Sequence, residues 1–244
     1  MHHVAGFHFR FPANGQSLDQ DQEWCQVQVD GNWQPLRFHD YDKVYQIPGL
    51  YEALFYHRLR CCSPYMVVHL LQEVLTDYPE SVSDLRVLDV GAGNGIVGQE
   101  LRAQGAPFVV GVDILSEARD AAMRDRPGIY DEYLVADLTD LSDTQRHFLT
   151  NARLNCLCIV AALGYGDIPI AAFVQACNII DEKGWLAFNI KEDFLDESRD
   201  ATGFSRLIQT LVRERVIQVQ SYRRYRHRMS VQGEPLHYVA VTAC

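Results

Sequence analysis

From residue 84 onward, short apolar runs alternate with helical segments, and this alternation restricts the fold more than any other feature of the chain. Strands are predicted at about 85–90, 107–113, 132–136, 154–162 and 184–190. The run LCIVAAL within the fourth strand has no polar residue, as a strand covered on both faces requires. Because strand–helix–strand units cross over in a right-handed sense, the pattern predicts a doubly wound parallel sheet.

Both ends of the chain depart from this alternation. Residues 24–38 alternate apolar and polar side chains around Asp30-Gly31, which predicts a tight hairpin, and helical segments follow as far as Pro79. Near the C-terminus, RVIQVQSYRRYRHRM and LHYVAVTA are separated by SVQGEP without a helix, which predicts an antiparallel hairpin. We expect one domain, in which residues 1–80 form the N-terminal hairpin and helical cap and residues 81–244 form the core.

Composition excludes several classes of partner. The formal charge is −10, and general binding of nucleic acid depends on neutralising phosphates, so a nucleic-acid partner is not expected. No apolar run approaches the ~20 residues that span a bilayer, so no membrane association is expected. The 7 cysteines and 9 histidines lack the spacing of disulfide scaffolds or zinc sites. They predict reduced, buried thiols, a cytoplasmic location and no metal.

The stretch VLDVGAGNG places a glycine loop directly after the first strand of this alternating region. A dinucleotide loop in this register would use Gly91, Gly93 and a third glycine at position 96, where the chain has Ile96. Asp89, at the end of the strand, is costly to bury unless its carboxylate is hydrogen-bonded or paired. A cationic ligand or the N–H groups of the loop would offset that cost, whereas a pyrophosphate would not.

This stretch resembles motif I of the class I S-adenosylmethionine-dependent methyltransferases. Acidic residues follow in the family's order, with Asp113 in VVGVDIL and Asp137 in YLVADLTDL. The resemblance covers about residues 80 to 244 and implies an α/β fold, a Rossmann-like seven-stranded and mostly parallel sheet with a terminal antiparallel hairpin. GIYDEYLVADLTDL and ALGYGDIP further resemble the methyltransferase-like 27 (Williams–Beuren region) group. The alternative, an NAD-dependent oxidoreductase, explains Asp113 but neither Asp89 nor Asp137.

The resemblance also implies the cofactor, S-adenosyl-L-methionine, and its product, S-adenosyl-L-homocysteine. In the family the counterpart of Asp113 accepts hydrogen bonds from the ribose hydroxyls, and that of Asp137 binds the adenine amino group. Asp89 is expected to support the loop and the ammonium group of the cofactor. The other expected contacts are backbone at the loop and apolar wall elsewhere: Gly91, Ala92, Gly93, Ile114, Leu138 and Ala161.

The methyl acceptor is less defined. The segment YDKVYQIPGLYEALFYHR resembles a cap that closes over cofactor and substrate, and it makes Tyr45 a candidate for the cofactor and Tyr41 for the acceptor; alternatively, both tyrosines only pack the cap. No catalytic residue is identified. Tyr165, His57 and His237 are candidates, and each histidine is equally compatible with a structural or surface role. Tyr165 is also a candidate acceptor contact.

The run YRRYRHR is the clearest local positive cluster in this acidic chain. Arg224 and Arg226 are candidates for holding an anionic acceptor, and the alternative is an edge strand kept soluble by charge. The predicted function is methylation of a small-molecule acceptor. A protein or RNA methyltransferase and a non-catalytic cofactor-binding module are the competing hypotheses.

Overall fold

The computed structural model describes residues 2–4, 6–12, 18–164 and 167–244. The chain forms two compact units. The first consists of Met1–Cys62 together with Arg226–His237, and the second of Ser63–Tyr225 together with Tyr238–Cys244. The second unit contains the glycine loop and all three strand-end acids.

The first unit contains a four-stranded antiparallel sheet in the order β1-β2-β3-β4. Its strands are β1 (His2–Val4), β2 (Phe7–Arg10), β3 (Trp24–Val29) and β4 (Asn32–Arg37). Asp30 and Gly31 join β3 to β4 with φ angles of 50° and 81°, so the predicted hairpin is confirmed. Helix α1 (Tyr41–Gln46) and a π-helical turn at Glu52–Arg58 follow.

The second unit alternates strands and helices. Its elements are α2 (Ser63–Leu75), β5 (Arg86–Val90), α3 (Ile96–Ala103), β6 (Phe108–Asp113), α4 (Ser116–Asp125), β7 (Glu132–Val135), α5 (Asp143–Asn151), β8 (Cys156–Ile159), α6 (Ile170–Ile179), β9 (Trp185–Lys191), α7 (Phe204–Arg213), β10 (Val219–Met229) and β11 (Pro235–Ala243). Four residues of β10 and three of β11 fall within the first unit by the division given above.

These strands form a seven-stranded sheet in the order β10-β11-β9-β8-β5-β6-β7. Strands β5 to β9 are parallel, and β11 runs antiparallel to β9. The predicted α/β fold with a terminal antiparallel hairpin is therefore confirmed. The strand order reverses between β5 and β8, and ligands in such sheets bind beyond the carboxyl ends of the strands at that point.

Strand β8, in the middle of the sheet, is buried and apolar on both faces, as the sequence pattern predicts. Cys156 and Cys158 on β8 are fully buried, and burial raises the pKa of Cys156 to about 12. Strand β8 ends at Ile159, earlier than predicted, because Ala161 adopts a φ of 56°, outside the extended region. Within the described ranges, every helix is too short or too polar to span a bilayer.

Candidate functional site

The loop between β5 and α3 carries three alternating glycines in the left-handed region. Gly91, Gly93 and Gly95 have φ angles of 72°, 53° and 88°. A Cβ on Gly91 would lie 2.9 Å from the Cβ of Ala162, in the segment that follows β8. Backbone conformation and close approach therefore both require glycine at position 91. Helix α3 begins at Ile96, because Gly95, with its left-handed backbone, still belongs to this turn.

The loop directs its first N–H groups into the protein. Gly91 N and Ala92 N both donate to the carbonyl oxygen of Val112, at 2.9 and 3.1 Å. Gly93 N donates to Asp113 Oδ2 at 3.0 Å. A phosphate site of the Rossmann type needs such donors turned toward the ligand. Their internal use agrees with the register argument against a pyrophosphate ligand.

Asp89 lies at the carboxyl end of β5 and is completely buried. The Tyr130 hydroxyl donates to its Oδ2 at 2.7 Å, while Oδ1 is buried without a hydrogen-bond partner among the described residues. Burial raises the pKa of Asp89 to about 7, and Asp113 acts in the same direction. A buried carboxylate oxygen without a partner is strongly unfavourable, so it suits a ligand that brings positive charge or an N–H donor.

Two tyrosines that the sequence did not suggest hold the loop from within the protein. Tyr133 Oη donates to the carbonyl oxygen of Gly93 at 2.8 Å, and Tyr130 Oη lies 3.3 Å from that of Ala92. Their rings meet edge to face with centroids 5.3 Å apart. Tyr130 precedes β7, and Tyr133 is the second residue of that strand. Strand β7 pairs with β6 so that Tyr133 lies beside Gly111, and this register places both tyrosines under the loop. The one sequence feature related to these two tyrosines is Gly111, a residue without a side chain on the neighbouring strand β6, which leaves room for both rings.

Asp113 ends β6 beside the loop. Its Oδ2 accepts from Gly93 N, and its Oδ1 accepts from Leu115 N at 3.0 Å. Burial raises the pKa of this carboxyl, and the backbone N–H bonds oppose the rise. Each oxygen retains acceptor capacity for a ligand hydroxyl. The next residue, Ile114, exposes 63% of its surface, an apolar area placed where the resemblance expects an adenine ring.

Asp137 lies just beyond the end of β7, at the same carboxyl end of the sheet as Asp113. Its Oδ1 accepts from Thr139 N at 2.8 Å and from Thr139 Oγ1 at 2.7 Å. These bonds hold the pKa of the exposed Asp137 carboxyl below its ordinary value, so it is ionised at neutral pH. Leu138 is buried in the core of the second unit.

The segment after β8 is fixed by a buried polar network that the sequence did not reveal. Ala161 N donates to Asn189 Oδ1 at 2.6 Å, and this bond stabilises the left-handed conformation of Ala161. Asn189 Nδ2 donates to the Tyr225 hydroxyl at 2.6 Å and to Ser63 Oγ at 3.1 Å. The Ser63 side chain is therefore a member of this network, as an acceptor for Asn189. Tyr165, a predicted acceptor or catalytic residue, lies outside the described residues.

The remaining cap candidates belong to the first unit. Tyr45 is buried, and its ring centroid lies 6.1 Å from that of Tyr41 and 5.0 Å from that of Tyr51. These contacts agree with a packing role, and the cofactor and acceptor roles stay predictions. His57 is exposed on the π-helical turn, and His237 is partly exposed on β11.

The arginine-rich strand is only partly available to a ligand. Arg224 makes a bidentate ion pair with Glu192, with distances of 2.7 and 2.9 Å. Arg226 is exposed. Arg228 is buried and pairs with Glu23 at 2.5 Å, so the face that it shares with Arg224 and Arg226 by alternation is not uniformly exposed. The acceptor role of Arg224 and Arg226 stays a prediction.

Comparison with known proteins connects this geometry to one family. A family model described as a methyltransferase domain matches residues 57–233. Two ubiquinone biosynthesis O-methyltransferases of Neisseria meningitidis, from serogroup C and from serogroup A, are 28% and 31% identical over 134 residues. The alignments cover 51% of this chain and 53% of each relative, so the chain spans about half the length of the curated relatives it matches.

Solved structures share the fold at low sequence identity. The N-methyltransferase NodS from Bradyrhizobium japonicum, in complex with S-adenosyl-L-homocysteine, has a TM-score of 0.54 at 10% identity, covering 84% of this chain and 96% of NodS. A SAM-dependent methyltransferase from Anabaena variabilis has a TM-score of 0.55 at 12% identity, with coverages of 84% and 91%. The family model matches more than half of the length of this chain, and the chain therefore belongs to the methyltransferase domain family.

Proposed function

We propose that this protein is an S-adenosyl-L-methionine-dependent methyltransferase that acts on a small-molecule acceptor. The observation that carries the proposal is Asp89 Oδ1, which is buried, has no hydrogen-bond partner among the residues that the structure describes, and lies at the switch point of the sheet. It adjoins a glycine loop whose first N–H groups are already used inside the protein. This arrangement suits a ligand with a cationic group and a close backbone approach, and it does not suit a pyrophosphate.

Different residues of the second unit are assigned to different parts of the cofactor. Asp89 meets the ammonium group, directly or through water, and the backbone of Gly91, Ala92 and Gly93 lies along the methionine part. Asp113 accepts the ribose hydroxyls. Ile114 packs on the adenine ring, Asp137 binds its amino group, and Leu138 and Ala161 add apolar wall around adenine and thioether. Tyr45, which belongs to the first unit, stays a separate candidate for a cofactor contact.

When bound, the cofactor supplies a methyl group on a sulfonium, and transfer leaves the electron pair of the broken bond on sulfur. The chain contributes by holding donor and acceptor in line and by excluding water, which accounts for much of the acceleration available to such a transfer. Asn189 serves this purpose by fixing Ala161, whose neighbour Ala162 packs against Gly91 of the glycine loop. Tyr165, His57 and His237 are the proposed candidates for removing a proton from the acceptor.

A small-molecule acceptor is supported by two observations. The net charge of −10 disfavours nucleic acid, and the curated relatives are named for methylation in ubiquinone biosynthesis. Tyr41, Tyr165, Arg224 and Arg226 are the proposed acceptor contacts, and an anionic acceptor would compete with Glu192 for Arg224. The closer kinship with the methyltransferase-like 27 group is part of this proposal.

The test is a transfer assay with methyl-labelled S-adenosyl-L-methionine and fractionated cell extract. We expect label in the low-molecular-weight fraction, and no transfer by Asp113→Ala, which loses the ribose contact. Label in the protein or RNA fraction would support the macromolecular alternative. Binding of S-adenosyl-L-homocysteine without transfer to any fraction would support a non-catalytic module.

A further inference from the structure

Tyr130 occupies a slot that two glycines create. A Cβ on Gly98, in α3, would lie 2.8 Å from ring carbons of Tyr130, and one on Gly111, in β6, would lie 3.1 Å from the same ring. Glycine inside a helix or strand is unfavourable relative to alanine, because it loses more conformational freedom on folding. At Gly98 the side chain that alanine would displace is Tyr130, and at Gly111 the rings of Tyr130 and Tyr133 are equally close, at 3.1 Å.

The Tyr130 hydroxyl lies between two acceptors. It donates to Asp89 Oδ2 at 2.7 Å, and the carbonyl oxygen of Ala92 is 3.3 Å away. One hydroxyl has a single proton, so an ionised Asp89 takes it. A protonated Asp89 instead donates to Tyr130 Oη, and the tyrosine proton then turns toward Ala92. The protonation of Asp89 is therefore coupled to the hydrogen bonding of the glycine loop.

Other titratable groups also act on or respond to Asp89 from the packed elements. They are Asp113 on β6, Tyr130 before β7, Tyr133 on β7, and Cys156 and Cys158 on β8. Burial raises the pKa of both thiols, so they stay neutral, and the negative Asp113 opposes a second charge. Of these groups in the described part of the chain, Tyr130 is the one whose hydrogen bond favours the ionised Asp89.

We propose that Tyr130 is a positioning residue of the cofactor site, which favours the ionised form of Asp89 and holds the glycine loop in place, so that the cofactor's ammonium group meets a carboxylate. This inference rests on the proposed function. Tyr130 acts through Asp89 and the backbone of Ala92, without contacting the reacting atoms.

The test compares Tyr130→Phe with Tyr133→Phe. Both keep the ring, and both remove a hydroxyl that holds the loop, but only the first removes a hydrogen bond to Asp89. Calorimetric titration with S-adenosyl-L-homocysteine is carried out between about pH 6 and pH 9. Protonation of the ligand's own amino group affects both variants equally and cancels in their ratio.

We expect Tyr130→Phe to bind about ten- to a hundred-fold more weakly than Tyr133→Phe at acidic pH, because the lost bond to a charged acceptor raises the ionisation midpoint by roughly one to two pH units. This difference in affinity between the two variants should shrink toward alkaline pH, where Asp89 is ionised in both variants. A deficit that is equal at every pH, or no deficit, would overturn the proposal.

Unfolding by urea gives a second measurement that does not depend on a ligand. The inflection that Asp89 produces in the pH dependence of stability should move upward in Tyr130→Phe and stay in place in Tyr133→Phe. If the unaltered protein binds no S-adenosyl-L-homocysteine at any pH, the proposed function fails, and the role of Tyr130 toward the cofactor fails with it. The unfolding inflection then still decides whether Tyr130 favours the ionised form of Asp89.

Discussion

Replacing Asp89 by asparagine removes a charge from the interior of the sheet and keeps the shape of the side chain. In the folded protein burial raises the pKa of Asp89 from 3.8 to about 7. The Asp89 carboxyl therefore binds its proton more tightly in the folded state than in the unfolded state. The stability that Asp89 contributes is complete below about pH 4, declines as pH rises, and is lost above about pH 7.

The size of the effect follows from the pKa difference. It is roughly three pH units, and each unit corresponds to about 1.4 kcal/mol, so ionised Asp89 costs about 4 kcal/mol at pH 8 relative to its protonated form. Asparagine still accepts from Tyr130, and its unpaired N–H₂ adds a cost that does not change with pH. The pH-dependent part of the difference between the two proteins therefore reports the carboxyl alone.

The assay is urea unfolding of both proteins, without ligand and at constant ionic strength, from about pH 4 to about pH 8. We expect Asp89→Asn to gain about 4 kcal/mol relative to the unaltered protein across this interval, while it loses affinity for S-adenosyl-L-homocysteine. The exposed Asp137→Asn is the control, with a small change of opposite sign because the pKa of Asp137 is lowered. A difference that is constant with pH would refute the reasoning.

Three further substitutions test other parts of the account. Gly98→Ala should lower the urea midpoint, because its Cβ meets the Tyr130 ring at 2.8 Å, although alanine favours the helix by about 1 kcal/mol; a higher midpoint would contradict the slot. Asn189→Leu should cost about 1–3 kcal/mol in urea unfolding, because Ala161 N loses its acceptor while Ser63 and Tyr225 keep the hydrogen bond between their hydroxyls; an unchanged stability would count against the network. Arg224→Ala should raise the KM for an anionic acceptor with little change in unfolding, whereas Arg223→Ala, which breaks an equally exposed ion pair, should leave KM unchanged; equal effects would remove the acceptor role.

The strand-end acids were predictable from sequence because they depend on local pattern. An apolar run fixes where a strand ends, and parallel strands bring their carboxyl ends to one edge of the sheet. Asp89, Asp113 and Asp137 could therefore be assigned to one site from the order of strands and acids along the chain. Ile96 likewise excluded the dinucleotide loop from its position in the register alone.

The supports of the site were not predictable in this way. Tyr130 reaches Asp89 across 41 residues, and Asn189 reaches Ala161 across 28 residues. Such contacts depend on which strands are neighbours and on their register, and periodicity does not contain that information. The same limit applies to β1 and β2, since MHHVAGFHFRF has no turn signal comparable to Asp30-Gly31.

Calorimetric titration of the unaltered protein with S-adenosyl-L-methionine and, separately, with NAD tests the central claim most directly. The internal use of the loop N–H groups and the buried Asp89 predict saturable binding of S-adenosyl-L-methionine, abolished by Asp113→Ala, and no measurable binding of NAD. Tight binding of NAD without binding of S-adenosyl-L-methionine would contradict the account.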